Sequence, residues 1–267
     1  MSRQRFGQHF LVKSSVLERI ARAACPDPEP LVIEIGPGRG ALTERLLPRA
    51  DRVIAIEVDP GLVEFLLLKF RGEPRLTVTQ ANALETDLGQ WGPAVVAGNL
   101  PYYAATPIIG KTLALGSALK RAVFLVQKEV ASRLAARPGS RDYGYLSVHT
   151  LILADVETVF DVPPSAFRPP PKVDSTLVRL RPKSRASELG VSDVGGFLTF
   201  AGLCFRQKRK TLRNNLAGVY GKEAADRLPD GGRRAEELTL EEFANLYRRL
   251  VPSEPEEASC HHKKPRD

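Results

Sequence analysis

Short apolar runs separated by segments of helical period fill the first half of the chain. The runs LVIEI (31–35), RVIAIEV (52–58), RLTVTQ (75–80), AVVAGN (94–99) and AVFLVQ (122–127) are strand-length and rich in β-branched residues. Strands apolar on both faces and alternating with helices are what a parallel sheet covered on both sides produces. The pattern therefore predicts an α/β fold, an open doubly wound sheet. Ahead of the first run, SSVLERIARAA places Val16, Leu17, Ile20 and Ala24 on one helical face, and Ser15 with Glu18 has the spacing of a capping box.

Beyond Arg137 the pattern changes. RPGSRDYGY reads as a turn-rich basic loop, and LSVHTLILADVETVFDV and STLVRLRP read as strands added at the sheet's edge. Between them runs VPPSAFRPPPKV, whose prolines remove backbone donors and stiffen an extended path. From about Lys183 the strands stop. VGGFLTFAGLCFRQKRKTLRNNLAGVYG and TLEEFANLYRRLV are helical by period. The expected organisation is a catalytic α/β domain over 1–182, a small all-α domain over 183–252 and a disordered polar tail over 253–267.

Composition narrows the partners. The 267 residues are 43% hydrophobic and 26% charged, ordinary for a soluble globular protein. A net charge of +8 makes an anionic partner, nucleic acid first, the one to test. Cys25, Cys204 and Cys260 are far apart with no metal-ligand spacing, and His261 and His262 sit in the polar tail, so neither a disulfide framework nor a metal site is expected. The N-terminus has no apolar signal region and no run is long enough to span a bilayer, so a cytoplasmic location without membrane association is expected.

Two motifs carry chemistry. EIGPGRGALT follows the first strand: Gly36, Gly38 and Gly40 let the backbone approach a ligand, and the helix expected to follow offers unpaired N–H groups. Glu57 ends the second strand about 20 residues on, where an acid can accept from ribose hydroxyls. The loop also satisfies the dinucleotide fingerprint, so by itself it leaves NAD and S-adenosylmethionine open. Glu34, an acid within an apolar strand two residues before Gly36, tilts the choice toward S-adenosylmethionine; it reads equally well as a strand-end acid that satisfies the loop. In the second motif, VAGNLPYY, a core strand runs into Asn99, Pro101 and two aromatics. In isolation Asn99 reads as a turn residue.

Taken together, GQHFL (7–11), EIGPGRGALT (34–43), IEVD (56–59), NLPY (99–102), FLVQKEVASRL (124–134), VPPSAFRPPPKVDS (162–175) and FRQKRKTLRNNL (205–216) resemble the ribosomal RNA adenine N6 dimethyltransferases, and among them the small-subunit (16S rRNA) branch. The resemblance implies a Rossmann-like methyltransferase sheet, S-adenosyl-L-methionine as donor and S-adenosyl-L-homocysteine as product. It also implies dimethylation of two adjacent adenosines near the 3′ end of 16S rRNA in a small-subunit precursor; a monomer is the default expectation, which the resemblance does not supply. It assigns cofactor contacts to His9, Leu11, Gly36, Gly38, Glu57, Asn82 and Asn99. Asn82 stands where such enzymes usually carry an Asp toward the adenine amine; an amide oxygen can still accept there.

The resemblance puts the methyl acceptor against Asn99, Leu100, Pro101 and Tyr102, with Phe167 as a second stacking ring. Without it, Phe167 reads as a packing residue. Arg206, Lys208, Arg209, Lys210 and Arg213, on a predicted helix, suit phosphate contacts, and RPGSRDYGY is a second candidate; the plain alternative for the helix is a solvated face. Rival readings are a 23S rRNA adenine methyltransferase of the macrolide-resistance type, a non-catalytic assembly factor on the same scaffold and a nicotinamide oxidoreductase. GQHFL and FRQKRKTLRNNL lean away from the first. Intact NLPY and glycine motifs speak against the second, and the last explains neither NLPY nor the basic cluster.

Overall fold

The computed structural model describes residues 9–251. Its chain divides into two compact units, one through Arg185 and one from Ala186. The three residues after the last strand stay with the first unit, because Lys183 and Arg185 donate their N–H groups to the Leu153 and Ile152 carbonyls.

The first unit is built on a seven-stranded sheet. Strands β2 (Glu29–Ile35), β3 (Ala50–Glu57), β4 (Leu76–Gln80), β5 (Ala94–Asn99) and β6 (Leu119–Gln127) are parallel; β9 (Ser175–Pro182) pairs antiparallel with β6, and β7 (Ala154–Val162) pairs antiparallel with β9 at the edge. The spatial order is β4-β3-β2-β5-β6-β9-β7. Val32, Ile33, Val53, Ile54, Val95, Val96, Val123 and Phe124 are fully buried, as both-face burial of a parallel sheet requires. A two-stranded ribbon joins β1 (Phe10–Leu11) to β8 (Phe167–Arg168), pairing Leu11 with Phe167.

The helices follow from local signals. In α1 (Ser14–Ala24), Val16, Leu17, Ile20, Ala21 and Ala24 are buried. In α3 (Pro60–Lys69), Asp59 caps the N-terminus by accepting from the Gly61 and Leu62 N–H groups, and Pro60 occupies the first turn. Helix α2 (Thr43–Leu46) is a single turn, α4 (Ala105–Leu113) follows the NLPYY segment, and α5 (Lys128–Leu134) follows β6. The second unit contains α7 (Val194–Cys204), α8 (Leu212–Tyr220), α9 (Lys222–Asp226) and α10 (Leu240–Leu250), the last opened by a reciprocal Thr239–Glu242 capping box.

Several expectations are corrected. LSVHTLIL is not strand: α6 (Tyr145–Leu153) is a helix, and only from Ala154 does the chain extend. A short run apolar on all sides has no period that separates buried helix from buried strand. The Ser147 hydroxyl decides the start locally by accepting the Gly144 N–H. The Ser15–Glu18 capping box is not made: α1 begins at Ser14, its N-cap Lys13 makes no side-chain bond, and Glu18 instead binds Arg22 and Arg49. The glycine loop does not lead directly into a helix, since Gly38 to Leu42 form turns before α2. The continuous helix expected across the basic segment is broken from Phe205 to Thr211.

The sheet order reverses direction between β2 and β5, and a crevice opens at the carboxyl ends of strands at such a point. Gly98 sits there. A Cβ on it would lie 2.4 Å from the Ile35 carbonyl oxygen, so the close approach of the two strands tolerates only glycine. Gly98→Ala should therefore lower stability by about 1–3 kcal/mol or more, read as a fall in melting temperature. A melting temperature equal to the parent's would contradict this packing.

Candidate active site

Gly36, at φ +69°, turns the chain out of β2 with its N–H bonded to the Ile56 carbonyl. The position where its Cβ would stand is 3.8 Å from the Asn99 carbonyl oxygen. The glycine loop and the end of β5 thus face one another across the crevice. Phe10 closes in on this loop: its ring lies 3.1 Å from where a Gly38 Cβ would be.

Two buried acids organise the loop. Glu57, 4% exposed, accepts the Gly38 N–H on one carboxylate oxygen and the Val58 and Asp59 N–H groups on the other. Burial raises its pKa, opposed by those N–H donors. Glu34, 1% exposed, accepts the Thr43 hydroxyl at 2.6 Å and so ties β2 to α2. Burial pushes its carboxyl up to about 7, with the Thr43 hydroxyl pulling the other way and the charge of Glu57 adding to the rise. Thr43 was not singled out from sequence, where only its place after the glycines marked it.

The NLPYY segment is fixed from several sides. Asn99 Nδ2 donates to the His9 carbonyl at 3.1 Å, and no donor is assigned to Asn99 Oδ1 among the described residues. The amide is thereby oriented with its oxygen left as an acceptor. Leu100 donates its N–H to Leu125, and the Pro101 carbonyl takes the Ala104 N–H, which shapes the turn into α4. The Tyr102 hydroxyl meets Ser175 Oγ at 3.2 Å, and its ring lies 5.7 Å, centroid to centroid, from that of His9. His9 in turn binds the Pro169 carbonyl through Nδ1 at 2.9 Å. Ser175 belongs to the PKVDS segment, but sequence gave no sign that it would pin Tyr102.

One expected contact is corrected. Phe167 is 1% exposed within the hydrophobic cluster that includes Leu11, Leu17 and Val162, so its ring has no open face for stacking. The Leu11 side chain, 6% exposed, packs in the same cluster. Asn82 lies just beyond β4, where the preceding Ala81 donates its N–H to the Glu57 carbonyl. Gln8 and Gly7 of the GQHFL segment lie outside the described residues, as does the tail with Cys260, His261 and His262.

In the second unit, Arg206, Lys208, Arg209 and Lys210 lie on the loop between α7 and α8 rather than on a helix, and Arg213 is on α8. The buried Asn215 breaks the helix: its amide donates to the Cys204 and Gln207 carbonyls and accepts the Gln207 N–H. Arg213 is 3.2 Å from Asp226 and Lys208 is 3.9 Å from Glu236, whereas Arg206, Arg209 and Lys210 make no ion pair among the described residues. In the first unit, the basic loop that begins at Arg137 is anchored by Tyr143, 1% exposed. Among the described residues no three His, Cys, Asp or Glu side chains converge as metal ligands, and no helix is long and apolar enough to cross a membrane.

Comparison with known proteins gives a consistent picture. The family described as ribosomal RNA adenine dimethylase matches residues 1–251. A ribosomal RNA small subunit methyltransferase A from Acidobacterium capsulatum is 44% identical, with 92% of this chain and 90% of that protein covered. One of the same name from Saccharophagus degradans is 40% identical, with 94% and 95% covered. Among solved structures, a dimethyladenosine transferase from Plasmodium falciparum superposes with TM-score 0.74 at 26% identity, covering 89% of this chain and 96% of that one. The 23S rRNA methyltransferase ErmE superposes with TM-score 0.67 at 29% identity, covering 90% and 99%.

The Glu34–Thr43 bond has a pH signature. Because burial holds the folded pKa of Glu34 above that of an unfolded glutamate, the stability linked to its protonation is full below about pH 4.5 and is lost as pH rises through about 7, and the Thr43 hydroxyl, which favours the ionised form, offsets part of that loss. At pH 8 the carboxylate is ionised and leans on the hydroxyl; at pH 6 it is mostly neutral. Thr43→Val should therefore lose about 1–2 kcal/mol more stability at pH 8 than at pH 6, measured by denaturant unfolding. Equal losses at both pH values would contradict the assignment.

Proposed function

We propose, for a chain that belongs to the ribosomal RNA adenine dimethylase family, that it dimethylates N6 of two adjacent adenosines near the 3′ end of 16S rRNA during small-subunit biogenesis. The chain is an rRNA adenine dimethyltransferase by family, and its curated relatives bear the small-subunit name. The likeness to the 23S enzyme ErmE is lower in identity than the likeness to those relatives, so the 16S reading is kept. The observation that carries the mechanism is the Asn99 amide, its donor side held by the His9 carbonyl and its oxygen left without a donor among the described residues.

The crevice has the features S-adenosyl-L-methionine requires. Glycines at 36 and 38 leave backbone open where a side chain would intrude, and a buried carboxylate stands at the end of the neighbouring strand. Gly36 and Gly38 would hold the methionine end, Glu57 the ribose hydroxyls and Asn82 the adenine amine, with His9 and Leu11 alongside. When bound, the sulfonium supplies an electrophilic methyl group. The chain's task is then to hold the acceptor amine in line behind that methyl carbon.

Adenine N6 is a weak nucleophile because its lone pair is delocalised into the ring. Asn99 Oδ1 and the Leu100 carbonyl each accept one N6 hydrogen, which favours a pyramidal nitrogen with its lone pair directed at the methyl. The new N–C bond would form as the methyl–sulfur bond breaks, its electron pair staying on sulfur in the departing neutral S-adenosylhomocysteine; the amine becomes cationic and then releases its extra proton to water, so neutral acceptors suffice and no strong base is needed. Tyr102, steadied by Ser175, is positioned to stack on a base taken out of its helix. Phe167 serves instead to seat β1, and with it His9, through the β1–β8 ribbon.

Methyl transfer to small subunits lacking the modification tests the reading. The parent chain should methylate 16S rRNA, and Asn99→Ala should cut turnover by at least about 100-fold; undiminished turnover, or methylation of 23S rRNA instead, would contradict it. For RNA docking, replacing Arg206, Arg209 and Lys210 together by Ala should flatten the slope of log affinity against log salt by about 2. Replacing Lys208 and Arg213, already near acids, should change it less.

A further inference from the structure

The Asn82 side chain is occupied on both sides within its own turn. Oδ1 accepts the Leu84 N–H at 3.0 Å, and Nδ2 donates to Glu85 Oε1 at 2.8 Å. The Asn82 carbonyl receives the N–H groups of Glu85 and Thr86 and the Thr86 hydroxyl, so the turn is wound on this residue. The bond from Ala81 to the Glu57 carbonyl fixes where the turn begins.

An amide has two orientations related by a half-turn, one presenting an acceptor and the other a donor to the same point. A carboxylate only accepts. Glu85 and the Leu84 N–H therefore act together, admitting only the orientation in which Nδ2 faces the carboxylate and Oδ1 the backbone donor, and the second lone pair of Oδ1 stays available as an acceptor. We infer that Glu85 is a positioning residue for donor recognition: it locks the Asn82 amide so that its oxygen reads an exocyclic amine, and it supplies the turn with the negative charge that a neutral residue 82 lacks. This rests on the proposed placement of the donor's adenine at Asn82. It carries a corollary, that acids at 82 and 85 exclude each other, because two carboxylates in hydrogen-bond contact cannot both ionise without cost.

The test is titration calorimetry of the full chain with S-adenosylhomocysteine and with S-inosylhomocysteine, in which an oxygen replaces the adenine amine. The parent should favour the amine-bearing ligand by about tenfold. Glu85→Ala should reduce that preference to about threefold or less while leaving inosyl affinity within about twofold of the parent's. Asn82→Asp alone should bind S-adenosylhomocysteine more weakly than the parent, and adding Glu85→Lys to it should restore affinity to within about threefold. Melting temperatures of each variant separate this from misfolding. If Glu85→Ala weakens both ligands equally, so that the preference persists, the inference falls while the donor site stands. If the parent itself does not distinguish the two ligands, the placement of adenine at Asn82 falls and the inference with it.

Discussion

The backbone contact between β2 and β5 governs the chemistry available to this protein. At the carboxyl ends of two largely buried parallel strands, the Ile35 carbonyl comes so near Gly98 that no side chain fits between them. Beyond that contact the strands part, one into the glycine loop and the other into Asn99 and Pro101. A shift of either strand would move the loop and the amide relative to each other. In-line transfer between two bound groups depends on placement at the ångström level.

The electrostatics around that crevice separate two kinds of task. Glu34 and Glu57 are buried acids used to shape the loop, one through the Thr43 hydroxyl and the other through three backbone N–H groups. Where the acceptor amine is to be held, the groups are an uncharged amide and a main-chain carbonyl. A neutral acceptor orients the lone pair without taking up the proton. Both buried thiols stand apart from this chemistry, burial pushing Cys25 up to about 11 and Cys204 up to about 12.

Much of this was legible in the sequence because the signals were local. Continuous apolar runs marked the five parallel strands to within a few residues, and the glycines and Glu57 marked the loop and its acid. What was not legible depended on long-range contact. The strand expected at LSVHTLIL is a helix because a segment buried all round carries no period, and Gly144 and Ser147 decide its start. The resemblance assigned Phe167 a stacking role, but its pairing with Leu11 buries it, as the residue's own sequence context had suggested. The basic segment had a helical period throughout, and only the buried amide of Asn215, eight residues from Gln207, breaks it into a loop. The roles of Ser175 and the His9 carbonyl join residues 73 and 90 positions apart, beyond any pattern a single sequence offers.

The most direct measurement is a crystal structure of the full chain with S-adenosylhomocysteine and a short RNA carrying the target adenosine. The account predicts the extruded adenine against Tyr102, with N6 within hydrogen-bond distance of both Asn99 Oδ1 and the Leu100 carbonyl and facing the donor's sulfur. An amine bound elsewhere in the crevice, with the Asn99 oxygen turned to a different partner, would contradict it.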